Sequence, residues 1–127
     1  MHENGPSDIR HWIRKFAIAL RGIRFGMSGQ TSFTAHIIVG VMVLALAVLL
    51  NCSSSQWCVL LLCIGLVFSA ELANSAVEEL ARGLCHEKNE NVGRALDIAS
   101  GAVLCASLFA AVIGIIVLGS QLLAKFG

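Results

Sequence analysis

WCVLLLCIGLVFSAELANSAVEE, residues 57–79, opens as pure hydrocarbon and closes as an acidic stripe. From Trp57 to Ala70 the chain carries no charge. Continued through its polar end, the run supplies the ~20 helical residues that a bilayer core requires. Glu71, Asn74 and Glu78 follow at i, i+3 and i+7, which puts them on one face of a helix. Holding a carboxylate in hydrocarbon costs several kcal/mol, so Glu71 is expected to face a protein interior or a wet cavity rather than acyl chains. At ~1.5 Å per residue, Glu78 falls ~10 Å further along the axis, toward the lip of the membrane. Glu79 lies about 100° round from Glu78 and is expected to face headgroups or solvent.

Two more apolar runs flank this one, roughly Phe33–Leu50 and Ile98–Leu123. Hydrophobic residues make up 57% of the 127 and charged residues 13%. That leaves too little polar surface to coat a soluble three-helix bundle. The expected fold is an all-α membrane protein: an N-terminal amphipathic interfacial helix followed by three transmembrane helices. The expected boundaries are 8–27 for the interfacial helix and 32–50, 57–82 and 94–123 for the spans, with a linker at 83–93, all in one membrane domain (1–127).

A net charge of +1 says nothing about nucleic acid, but its distribution is informative. Arg10, Arg14, Lys15, Arg21 and Arg24 precede the first span, and Arg82, Lys88 and Arg94 surround the second linker, whereas Asn51–Gln56 has no charge. The positive-inside rule therefore puts the N-terminus and the second linker in the cytoplasm of a multi-pass inner-membrane protein, with Lys125 the one dissenting charge. Ile9, Trp12, Ile13, Phe16, Leu20 and Ile23 recur at helical spacing among the arginines, a pattern suited to the interface of an anionic bilayer. Asp8 is expected to cap that helix, after a loose tail at Met1–Ser7. No cleavable signal peptide is expected.

The remaining features are quieter. Ser28–Ser32 reads as a break, His36 as a hydrogen-bonded interface residue, and Trp57 as an interfacial anchor. The five cysteines form no CxxC pair and read as small buried thiols, and Cys85-His86 lacks the further ligands of a metal site. Ser100-Gly101-Ala102, Ala106-Ser107, Ala110-Ala111 and Gly114 give the third span a small-residue face for close packing. No Walker GxxxxGK[ST] or kinase glycine loop is present, which excludes a soluble-type nucleotide fold.

ELANSAVEE at Glu71–Glu79 and GRALDIASGAV at Gly93–Val103 resemble the two signatures of the small prokaryotic diacylglycerol kinases, a family that includes undecaprenol kinases. The resemblance covers nearly the whole chain. It implies an ATP-dependent kinase of a membrane lipid alcohol, turning diacylglycerol into phosphatidic acid or undecaprenol into its phosphate. It also implies a homotrimer with sites between protomers. By it, Glu71 is the general base, Glu78 holds Mg²⁺ and Asn74 orients the nucleotide. Asp97, Gly93 and Glu87 line the nucleotide pocket, while Ser100, Arg21 and Arg24 border the lipid. Phosphoryl transfer needs this kind of arrangement: a base at the hydroxyl and cations on the phosphate oxygens.

The chain departs from the family pattern at two positions. Gln30 stands where a glutamate often serves as a second metal ligand, and a neutral oxygen holds Mg²⁺ less tightly. Leu96 stands where a lysine usually precedes the aspartate. Arg94 or Lys88 is expected to supply the missing charge, Arg94 only if its helix starts late enough to free it from the face opposite Leu96. Two other function classes stay open: a family member without catalysis that binds nucleotide or lipid, and an intramembrane proton or ion relay subunit.

Overall fold

The structure, a computed structural model, describes residues 6–28 and 31–127. Four helices follow one another: α1 (Pro6–Met27), α2 (Thr31–Leu49), α3 (Ser54–Leu84) and α4 (Glu90–Phe126). They form two compact units, α1 by itself and α2 to α4 together.

In α1 the expected apolar residues, among them Ile9, Trp12, Phe16 and Leu20, stand exposed along one side. Lys15 lies over the Trp12 ring, 5.3 Å from its centroid. The helix opens at Pro6, a residue with no N–H to leave unpaired, and Asp8 sits in its first turn. There its carboxylate meets the positive end of the helix dipole. Pro6 and Ser7 thus belong to the helix and not to the tail, whose other residues lie outside those described.

α2, α3 and α4 are each long and apolar enough to cross a membrane. α3 starts three residues before the expected 57 because Ser53 and Gln56 form a capping box. Ser53 Oγ accepts from the Gln56 N–H at 3.2 Å, and Gln56 Oε1 accepts from the Ser53 N–H at 2.8 Å. α4 starts at Glu90 rather than 94, where Asn89 Oδ1 accepts from the N–H groups of Asn91 and Val92. The linker therefore shrinks to residues 85–89, and Gly83 and Gly93 lie inside helices instead of bounding a loop. At 31 and 37 residues, α3 and α4 run ~46 and ~55 Å, well beyond a ~30 Å hydrocarbon core.

α3 packs mainly against α4, with α2 laid on α3 and touching α4 along a smaller seam. Leu60, Cys63, Val67, Glu71 and Ser75 form the buried stripe of α3, at the three- and four-residue spacing of one helix face. Phe33, 1% exposed at the start of α2, stacks on Phe68 with ring centroids 5.9 Å apart. No residue of α4 is fully buried. Of its small residues, Ala106, Ser107, Ala110 and Gly114 pack inward, whereas Ser100, Gly101 and Ala102 are exposed.

At the α2–α3 turn a polar clasp joins all three helices. Lys125 Nζ donates to the Leu49 carbonyl at 2.7 Å, and Gln121 Nε2 donates to the carbonyls of Leu50 at 2.9 Å and Asn51 at 3.3 Å. Gln56 Nε2 donates to Gln121 Oε1 at 3.2 Å. These side chains satisfy the last carbonyls of α2, where the helix dipole is negative. Lys125, the charge that ran against the topology rule, is thus bound up in a helix cap. The thiol expectation holds only for Cys63, which is buried. Cys58 and Cys105 are exposed, Cys105 beside a groove that it lines with Cys63 and Leu66 of α3, and Cys52 and Cys85 are half-buried.

Candidate functional site

Glu71 occupies the packing face of α3 and is 3% exposed. It turns into the protein, as a carboxylate at this depth requires. Its Oε2 is buried and has no hydrogen-bond partner. One turn on, Asn74 Nδ2 donates to Glu78 Oε1 at 3.1 Å, while Asn74 Oδ1 is buried without a partner. Glu79 is exposed on the outer side and pairs with Arg82 at 2.8 Å. The stripe is therefore a graded row of oxygens: a sealed carboxylate, an amide, and a half-buried carboxylate nearer the linker.

α4 runs antiparallel to α3. Counted from the Gln56–Gln121 pair at ~1.5 Å per residue, Asp97 and Ser100 come level with Glu78, and Ser107 with Glu71, each to within about one turn. Level is not facing. Asp97 and Ser100 are exposed, while Gly93 and Leu96 are half-buried on the α3 side. Glu87 lies in the linker with its side chain exposed, and its carbonyl accepts from Cys85 Sγ at 2.7 Å. Arg21 and Arg24 are exposed on α1, in the other unit, and Gln30 lies outside the described residues. Glu71, Asn74 and Glu78 are thus brought together on one face, while Asp97 and Ser100 share only their depth.

The profile of the prokaryotic diacylglycerol kinase family matches residues 17–118. The chain belongs to this family. Among curated relatives, the undecaprenol kinase of Bacillus subtilis (strain 168) is 27% identical over 111 residues, covering 87% of this chain and 90% of the relative. A diacylglycerol kinase of Synechocystis sp. (strain ATCC 27184 / PCC 6803 / Kazusa) is 32% identical over 102 residues, covering 78% of this chain but 57% of that longer protein.

Within the prokaryotic diacylglycerol kinase family pattern, the early start of α4 settles one question about Leu96. A helix running from Glu90 fixes Arg94 about 200° round from Leu96, so Arg94 does not take that position. Arg94 instead shares a face with Asp97, three residues on, and approaches Glu90 at 3.5 Å. Among the described residues no cluster of three or more His, Cys, Asp or Glu could hold a metal alone. Magnesium needs less from a protein when it also binds phosphates: one or two carboxylates, with water and phosphate oxygens completing its shell. The Glu78 carboxylate and the unpartnered Asn74 Oδ1 fit that requirement.

Sequence reasoning missed Ser75, buried on the same face as Glu71, and Ser107, whose Oγ is buried without a partner. Ser75 was reachable, since it stands four residues after Glu71. Ser107 was not, because its facing depends on how α4 is rotated against α3.

Proposed function

We propose that this chain is an ATP-dependent kinase of a membrane lipid alcohol, working at the cytoplasmic face of the inner membrane. The observation that carries the reading is Glu71, a carboxylate 3% exposed within a membrane-spanning helix with one oxygen left unpartnered. An unpaired buried acceptor is costly, and its retention fits a group that waits for a proton donor.

In the proposed reaction the lipid hydroxyl donates to Glu71. As its oxygen attacks the γ-phosphorus, the new P–O bond forms, the bond to the ADP oxygen breaks, and the hydroxyl proton passes to the Glu71 carboxylate. Glu78 and Asn74 would hold Mg²⁺, which when bound neutralises charge on the phosphate oxygens. Asn74 also holds Glu78 in place through its amide, and so orients the nucleotide side of the site. Asp97, Gly93 and Glu87 would border the nucleotide, while Arg21, Arg24 and Ser100 would border the lipid. Asp97 and Ser100 turn away from α3 of their own chain, which favours sites shared between protomers of a homotrimer. Arg94 does not occupy the position of the missing lysine, but on the Asp97 face it would bring a cation to the nucleotide side of the site, with Lys88 in the linker the second candidate.

One observation favours a second reading. Leu96 is half-buried toward α3 where a phosphate-binding lysine is expected, which suits a member that binds without catalysing. Purified protein in mixed micelles with Mg·ATP decides between the two. Label from the γ-phosphate should appear in a lipid alcohol, and Glu71→Gln should abolish it. Nucleotide binding with no transfer by the wild type would reject catalysis.

A further inference from the structure

A cavity of about 660 Å³ runs between α2, α3 and α4. At the turn end Leu50, Leu60 and Leu122 line it, and at the opposite end His36, Phe68 and Ser107. Its walls are apolar almost throughout, but Ser107 Oγ is buried and makes no hydrogen bond. A serine inside a helix can return its hydroxyl to the carbonyl four residues back, and this one does not. At membrane depth little water is at hand to satisfy it instead. Val67 and Phe68, at the far end of the lining, precede Glu71 by one turn of α3, so the cavity stops about one turn short of the deep carboxylate. Long, apolar, and polar at the end nearer a base, it has the outline of a site for a lipid alcohol.

The unpaired hydroxyl also bears on which alcohol. The reacting oxygen attacks phosphorus with a lone pair, and a donor bonded to it would compete for that pair. Ser107 is therefore suited to a second oxygen on the acceptor. A glycerolipid has one, an ester oxygen on the carbon next to its free hydroxyl. A polyprenol has none, and would leave Ser107 as unpaired as the cavity now does. We propose that Ser107 determines specificity: its hydroxyl donates to an ester oxygen of a diacylglycerol whose chain lies in this cavity, selecting a glycerolipid over a polyprenol. The inference rests on the lipid-kinase reading above and names its substrate class.

The test compares dioleoylglycerol with a long polyprenol in mixed micelles with Mg·ATP, using wild type, Ser107→Ala and Ser107→Thr. Loss of one hydrogen bond should raise the KM ratio of dioleoylglycerol to polyprenol about tenfold in Ser107→Ala, and Ser107→Thr, which keeps the donor, should restore it. A ratio unmoved by Ser107→Ala, or a KM that rises equally for both lipids, overturns the proposal. A second arm uses a diacylglycerol with a photoreactive group in one chain, added without ATP. Labelling of Gly40 or Gly114, which line the cavity, supports the proposal. Absence of label there, with cross-links between copies at those positions, assigns the cavity to a second copy and overturns it. Should the wild type phosphorylate neither lipid, the kinase reading fails, and the labelling arm still decides what the cavity holds.

Discussion

Replacing Glu71 by methionine should make the protein more stable and inactive at once. Methionine keeps the side-chain length while removing the unpartnered oxygen. A buried acceptor without a donor costs ~1–3 kcal/mol, and at 3% exposure solvent recovers almost none of it. The bond from Asn74 goes to Glu78 and survives the change. The expected gain is thus ~1–3 kcal/mol, read as a shift of SDS-induced unfolding in mixed micelles to higher SDS, followed by far-UV circular dichroism. Phosphate transfer should fall by ~10²–10⁴, the usual contribution of a positioned general base. Glu71→Asp separates charge from placement: it keeps the carboxylate but draws it back by one methylene, a displacement on the order of 1 Å that can cost ~10²-fold. A Glu71→Met protein that unfolds more easily than wild type, or that still transfers phosphate, would refute both the packing argument and the role given to this residue.

Other outcomes follow from the same structure. Gln121→Leu removes three contacts of the clasp, each worth ~0.6 kcal/mol in a membrane protein, and should lower stability by ~2 kcal/mol on the same unfolding assay. Ser53→Ala breaks the capping box of α3 and should cost ~1 kcal/mol with little effect on transfer, since it lies at the end of the helix far from Glu71. Arg94→Ala should raise the KM for ATP more than Lys88→Ala does, and unchanged kinetics in both variants would end the idea that either replaces the missing lysine. Chelation with EDTA should stop transfer and excess Mg²⁺ should restore it, whereas activity that persists in EDTA would remove Glu78 from a metal-binding role.

Much of the architecture was legible in the chain because hydrocarbon solvent leaves few choices. Three apolar runs, the second completed by its polar end, are long enough to cross as helices, and on a helix Glu71, Asn74 and Glu78 at i, i+3 and i+7 share a face. The helix ends were less legible. Ser53-Ser54-Ser55-Gln56 carries a capping-box pattern, but a run of small polar residues reads equally well as turn. The start of α4 at Glu90 was hidden for the same reason: Asn89 caps it from within a stretch that composition marks as a loop. Rotation about a helix axis was beyond reach. Nothing local says that Leu96 leans on α3 while Asp97 turns outward, or that Gln121 and Lys125 close over the end of α2. Those facts belong to the packing of three helices and arise only when distant segments meet.

α3 is one unbroken helix from Ser54 to Leu84, and this makes it a measuring rod. Glu71 and Glu78 are marks on it, and no loop motion can slide one against the other. Swelling or thinning the surrounding lipid film would leave their separation untouched and move both marks together relative to the water line. On the proposed reading, the depth at which a greasy molecule must present itself is thus written into the rod, and the host membrane's thickness would decide how often that depth is met.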